Sequence, residues 1–92
     1  MKEGRRGLVS GRVQGVWYRA FTRERAVAAG VTGWARNLSD GRVEVVLYGV
    51  SGAVDHVATA LLAGPPGARV DAIDWEPWTP ADGQPPTDFV IG

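Results

Sequence analysis

A stretch near the amino terminus combines a glycine turn and an arginine in an order that can bind an anion. Residues 9–19 read VSGRVQGVWYR, which predicts a strand, a tight turn containing Gly15 and a helix beginning at Arg19. Backbone N–H groups in such a turn can converge on one point, and the unpaired N–H groups of the first helical turn face the same way. The guanidinium of Arg19 would add a forked cation. The stretch therefore predicts an anion cradle.

The turn at Gly15 is also compatible with a simple connection. A single glycine between a strand and a helix more often marks an ordinary turn, and the GxxxxGKS/T and GxGxxG spacings of nucleotide-binding loops are absent. Arg19 favours the cradle, because a cation at the start of a helix meets the positive end of the helix dipole. That position is slightly unfavourable unless an anion joins it, which indicates a ligand.

The remaining polar side chains offer little catalytic chemistry. His56 is the only histidine, and on the predicted second helix it falls opposite the apolar stripe, so we expect it at the surface. Ser10, Thr22 and Ser39 have no histidine base in evidence and are interpreted as turn or packing residues. The chain has no cysteine and no histidine–carboxylate cluster with metal-ligand spacing. The sequence therefore argues against a covalent or metal-dependent mechanism, and we expect no cofactor.

Four aromatic residues raise the alternative of nucleic-acid binding. Trp34, Trp75, Trp78 and Tyr48 could stack bases on a sheet. A basic-aromatic run of the RNP1 type is absent, however, and ten basic side chains balance ten acidic ones. We therefore interpret these aromatic residues as packing residues and expect no nucleic-acid partner.

The composition is that of one small folded domain. Of 92 residues, 45% are hydrophobic and 22% are charged, which is enough for a single thin core. No apolar segment reaches the length of a signal peptide or a membrane span. We expect a soluble, cytoplasmic monomer with no membrane partner, forming a single domain over residues 1–92 with residues 1–6 as a flexible tail.

The hydrophobic periodicity predicts seven elements in the order strand, helix, strand, strand, helix, strand, strand. The predicted strands cover residues 8–13, 31–37, 42–48, 68–76 and 89–91, with residues 79–86 as a flexible connection. The first predicted helix covers residues 19–29, and the second follows Ser51 and is ended by Gly64-Pro65-Pro66. Ser51 is expected to cap the second helix, and Gly30 to end the first in the left-handed conformation. The third strand has Val43, Val45 and Leu47 on one face and Glu44, Val46 and Tyr48 on the other, so we expect it to be largely buried and central in the sheet.

Crossovers that contain helices are right-handed, which places both helices on the same face of the sheet. The predicted fold class is therefore α+β, a ferredoxin-like (split β-α-β) sandwich with two helices on one face of a five-stranded mixed, mostly antiparallel sheet.

Two segments of the chain resemble the signatures of a known family, the acylphosphatases. Residues 11–19, GRVQGVWYR, are similar to the first signature, and residues 33–37, GWARN, continuing through Gly41, Val43 and Gly49, are similar to the second. The resemblance extends to Gly64-Pro65 and to the closing residues 89–91. It covers nearly the whole chain and implies a five-stranded ferredoxin-like fold.

The resemblance also implies a reaction and its residues. Acylphosphatases hydrolyse the carboxyl-phosphate bond of acyl phosphates to a carboxylate and inorganic phosphate, without a metal. The family's phosphate-binding arginine corresponds to Arg19 and its water-orienting asparagine to Asn37. The phosphate-binding loop corresponds to Gln14, Gly15, Val16, Trp17, Tyr18 and Arg19.

Trp17 departs from the family pattern, which has glycine or a smaller aromatic residue there. An indole folded over the loop mouth could restrict the acyl group, whereas an indole packed inward would not affect specificity. The carboxylate of Gly92 could pair with Arg19 when phosphate is absent. Two alternatives stay open: a non-catalytic phosphate- or RNA-binding ferredoxin-like module, and one domain of a larger maturation protein that handles carbamoyl phosphate.

Overall fold

Alternating apolar runs and two amphipathic stretches form five strands and two helices in the computed structural model, which describes residues 1–92. The elements are β1 (Lys2–Arg12), α1 (Tyr18–Ala28), β2 (Thr32–Asn37), β3 (Val43–Val50), α2 (Ser51–Ala63), β4 (Arg69–Pro77) and β5 (Phe89–Ile91). The strand order is β4-β1-β3-β2-β5, with only the β2–β5 pair parallel. The predicted α+β ferredoxin-like sandwich is confirmed, and β3 is central as expected.

One hydrophobic core fills the space between the sheet and the helices. Val43, Val45 and Leu47 of β3 are fully buried and belong to the same cluster as the apolar faces of both helices. The buried helix residues are Tyr18, Thr22 and Ala26 of α1 and Val54, Val57, Ala58 and Leu61 of α2. Burying a Val or Leu side chain contributes about 1.5–3 kcal/mol, so the predicted stripes are what hold the helices on the sheet.

The amino-terminal strand starts earlier than its sequence predicts. β1 begins at Lys2, which pairs with Val50 of β3, so the prediction of a flexible tail over residues 1–6 was wrong. Residues 2–6 are mostly charged, and this composition is typical of an exposed tail. In the structure most of their charges are paired, so they can lie within the sheet. Arg6 pairs with carboxylates of β3 and β4, and Arg5 pairs with Glu3 and with Asp55 of α2.

The helix ends agree only in part with prediction. Gly30 follows α1 with φ 71°, and the Val31 N–H donates to the Ala26 carbonyl at 2.8 Å, as a left-handed glycine cap requires. Ser51, by contrast, is the first helical residue of α2 rather than its cap. Val50 takes the cap position without a side-chain hydrogen bond, because β3 runs directly into the helix.

A buried carboxylate on the face of the sheet opposite the helices fixes the pairing of β2 with β3. Glu44 is only 3% exposed and accepts hydrogen bonds from Arg6 Nε at 2.7 Å, Arg36 Nε at 2.6 Å and Trp34 Nε1 at 3.1 Å. Burial alone would raise the pKa of Glu44, but these three donors together lower it below its usual value. Arg36 lies directly opposite Glu44 and next to Asn37, so the pair holds the end of β2 in place.

The aromatic residues are divided between the two faces of the sheet. Trp34 and Trp78 lie edge to face with ring centroids 5.4 Å apart. Trp75 packs instead against the core on the helix side, with the Arg5 guanidinium 5.8 Å from its ring. Trp75 is therefore separated by the sheet from the Trp34–Trp78 pair, so the three tryptophans do not form a single stacking platform.

Candidate active site

The loop between β1 and α1, which is the predicted anion cradle, contains a left-handed glycine and main-chain N–H groups without partners. Gly15 has φ 75°, a conformation that residues with a Cβ rarely adopt. The main-chain N–H groups of residues 14–17 donate none of the hydrogen bonds found outside the helices and strands. The first hydrogen bond of α1 runs from the Phe21 N–H to the Trp17 carbonyl at 2.9 Å. Several successive N–H groups are thus free to bind an anion.

Arg19 lies in the first turn of α1, where its charge joins the positive end of the helix dipole. The side chain is half-buried, and Nη1 donates a hydrogen bond to the main-chain oxygen of Gly92. The Gly92 N–H in turn donates to the Ala35 carbonyl of β2 at 2.9 Å. The structure therefore shows the expected contact between Arg19 and Gly92, and this contact ties the arginine to the end of the sheet.

Gln14 links the cradle to the turn that follows Asn37. Its side-chain Nε2 donates to the Leu38 carbonyl at 2.9 Å and to the Arg42 carbonyl at 3.0 Å. Sequence reasoning had assigned Gln14 only to the phosphate-binding loop and missed this role. The available signal was a long amide side chain between the two apolar residues Val13 and Val16, but its acceptors lie more than twenty positions away.

Asn37 ends β2 and is exposed. The turn after it is closed by a hydrogen bond from the Leu38 N–H to the Arg42 carbonyl at 2.8 Å, and β3 returns antiparallel. Two sets of contacts hold this end of the strand, the Arg36–Glu44 pair and the Gln14 side chain. Asn37 thus presents an amide to solvent from a well-anchored position.

Tyr18 can serve the cradle only through its main chain. Its ring is 1% exposed, its hydroxyl donates to the Leu61 carbonyl of α2 at 2.7 Å, and burial raises the pKa of the phenol. Val16 also packs against the core. Two of the predicted loop residues therefore anchor the loop with their side chains.

An open cleft of about 440 Å³ lies beside the cradle. Arg19 is its only charged residue, and Asn37 does not line it. The lining residues are Val13, Gly15, Trp17, Tyr18, Arg19, Ala20 and Ile91. A cleft of this kind suits a small molecule with one anionic end and one apolar end.

The family model for acylphosphatases matches residues 5–91, which include both segments of this site. The chain belongs to the acylphosphatase family. A relative from Chromohalobacter salexigens named acylphosphatase is 55% identical over 84 residues, which cover 91% of this chain and 90% of the relative. The prediction of an enzyme of this family is thereby confirmed.

Solved acylphosphatase structures share the whole fold. The acylphosphatase from Coxiella burnetii superposes with a TM-score of 0.90 at 34% identity, covering 99% of this chain and 93% of that one. The acylphosphatase from Bacillus subtilis gives a TM-score of 0.90 at 33% identity, covering 100% of this chain and 99% of that one. The fold described above is therefore the acylphosphatase fold.

Other groups that could do chemistry in an acylphosphatase are absent from the site. His56 is exposed on α2, as predicted. The structure has no group of three or more histidine and carboxylate side chains that could hold a metal ion.

Neither helix has the length and hydropathy needed to cross a bilayer.

Proposed function

We propose that this acylphosphatase hydrolyses the carboxyl-phosphate bond of acyl phosphates, with Arg19 and the cradle N–H groups binding the phosphoryl group and Asn37 orienting the water. The observation that carries the proposal is the Gln14 bridge. It joins the loop that offers free N–H groups to the turn that carries Asn37, so that the anion site and the water site belong to one rigid unit.

The phosphoryl group would sit where the loop N–H groups and Arg19 converge. Phosphoryl transfer passes through a loose transition state whose charge is spread over three equatorial oxygens. Preorganised N–H donors and a guanidinium stabilise that charge without reorganising during the reaction. The carboxylate is a good leaving group, so the acyl phosphate needs positioning more than it needs acid catalysis.

The water would be held in line by the Asn37 amide. The oxygen of this water forms the new bond to phosphorus while the bond from phosphorus to the carboxylate oxygen breaks. The carboxylate leaves with the electrons of the broken bond. A phosphoryl oxygen takes the proton from the water, giving inorganic phosphate. Because the substrate supplies this acceptor, the mechanism needs no protein base, which fits a site without histidine.

The proposed reaction is independent of metal ions, and this can be measured directly. We expect the purified protein to hydrolyse benzoyl phosphate with the same rate before and after treatment with EDTA, because Arg19 supplies the countercharge. Loss of the acyl phosphate absorbance gives the rate, and a mock purification controls for contaminating phosphatases. Inhibition by EDTA that Mg²⁺ reverses would contradict metal independence. Saturable binding of phosphate or RNA without turnover would favour a binding module.

Gln14 is expected to act as a positioning residue. In Gln14→Ala the turn after Asn37 loses two hydrogen bonds from the cradle, and misplacement of a reacting group by about 1 Å can cost about 10²-fold. We expect kcat to fall by roughly 10- to 100-fold with little change in KM, since the phosphate contacts are intact. Steady-state kinetics on benzoyl phosphate would measure both.

Gln84 provides the matched control, because it is the only other glutamine and is exposed in the loop between β4 and β5. Gln84→Ala should leave both constants unchanged. A Gln14→Ala variant that keeps its full kcat, or in which only KM changes, would argue against the positioning role.

The monomeric state and the cytoplasmic location stay predictions from the sequence.

A further inference from the structure

Trp17 is far more exposed than the other three tryptophans. Its side chain keeps 84% of its surface accessible, whereas Trp34, Trp75 and Trp78 are half-buried against the sheet. Burying a large aromatic side chain is favourable, and Trp17 is not isolated, because it lines a cleft with the apolar residues Val13, Ala20 and Ile91. The indole therefore points away from the core, which excludes the inward packing considered above.

The backbone of Trp17 is also unusual. With φ 64° and ψ 18° it is the only residue other than glycine with positive φ. Glycine would adopt this conformation without strain, whereas a residue with a Cβ is disfavoured there. A bulky side chain retained in a strained conformation, and left without packing, is best explained by a function for the side chain itself.

The surroundings of the indole define what it could bind. Trp17 belongs to the cradle loop, and it lines the cleft together with Arg19, Ala20 and the 37% exposed Ile91. The cleft is thus cationic at Arg19 and apolar beside it. A substrate whose phosphoryl group is bound at Arg19 would place its acyl group against this apolar wall.

We propose that Trp17 forms an acyl subsite that selects acyl phosphates with flat aromatic acyl groups over those with small ones. This inference rests on the proposed function, because it takes the phosphoryl group to be bound at the cradle. The face of the indole offers stacking to a planar ring, while an acetyl group is too small to cover it. The indole would contact the acyl group, which is the leaving group, and not the attacking water. The contact would therefore lower KM and have little effect on kcat.

The test compares benzoyl phosphate with acetyl phosphate in the wild type and in Trp17→Gly. We expect kcat/KM for benzoyl phosphate to fall about tenfold more than kcat/KM for acetyl phosphate, mainly through KM, so the readout is the ratio between the two substrates. Inorganic phosphate has no acyl group, so its inhibition constant measures any change in the cradle itself. Trp17→Phe should restore most of the selectivity, because it restores an aromatic ring.

The thermal stability of the Trp17→Gly variant distinguishes the proposed acyl subsite from a purely structural role for Trp17. Glycine relieves the backbone strain, so Trp17→Gly should raise Tm by roughly 4 °C even as selectivity falls. Trp78→Phe, on the opposite face of the sheet, should leave the ratio of the two substrates unchanged. Equal losses on both substrates, or no loss on either, would overturn the acyl subsite while leaving hydrolysis intact. Failure of the wild type to hydrolyse either substrate would instead contradict the proposed function.

Discussion

Arg19→Ala is expected to lower kcat/KM for benzoyl phosphate by at least about 10³-fold. The substitution removes the only charged side chain of the cleft, and with it the forked donor that can contact two phosphoryl oxygens at once. Arginines that stabilise the charge of transferring phosphoryl groups contribute about 10³- to 10⁵-fold in other enzymes. Both substrate affinity and turnover should fall, because the phosphoryl group carries charge in the ground state and in the transition state.

Arg23 provides the matched control for this variant. It is exposed one turn later on α1, so Arg23→Ala makes the same change of charge on the same helix. We expect Arg23→Ala to retain wild-type kinetics and Arg19→Lys to recover only part of the activity, since lysine lacks the fork. Circular dichroism would verify that the variants fold. An Arg19→Ala protein within threefold of wild type would exclude Arg19 from phosphate binding.

Asn37→Ala is expected to lower kcat by about 10²- to 10³-fold while leaving KM nearly unchanged. The amide is proposed to hold the attacking water, so its loss affects the transition state and not the binding of the acyl phosphate. Asn37 is exposed at the end of β2, and alanine there removes no buried contact. Stopped-flow or steady-state kinetics, with the inhibition constant of inorganic phosphate as the measure of binding, would separate the two effects.

Ser39 and His56 provide controls for the Asn37 variant. Ser39 lies in the same turn, so Ser39→Ala tests whether any change in this turn slows the reaction. His56→Ala tests the absence of a protein base. Both variants should be as active as wild type. A folded but inactive His56→Ala protein would overturn the base-free mechanism, and a fall in affinity without a fall in kcat would contradict the role given to Asn37.

Elements with a clear hydrophobic period could be predicted from the sequence. The stripe from Val54 to Leu61 and the apolar run of β3 each follow one rule, namely that apolar side chains repeat with the period of the element that buries them. Gly30 was predictable for a similar reason, because a glycine after a helical stretch meets a local demand for positive φ. Each of these features depends only on residues close together in the sequence, and each is found in the structure.

Features that depend on distant partners could not be predicted in this way. The charges near the start of β1 read as a tail because the carboxylates that pair with Arg6 lie on two other strands. Glu44 lies on a strand that is predicted to be buried, but the sequence pattern does not show that arginines from both neighbouring strands pair with it. The Gln14 bridge has the same origin. The family resemblance points to Arg19 and Asn37, whereas the contacts of Gln14 with Leu38 and Arg42 are seen only in the fold.

The contact between Arg19 and Gly92 has a consequence for the timing of folding. It joins residues 73 positions apart, and β5 pairs in parallel with β2, which also pairs with β3. Contacts of such long sequence separation form late, because the intervening chain must first be ordered. We therefore expect the contact between Arg19 and Gly92 to form late in folding, so that Arg19 would reach its observed position only after β5 has docked beside β2.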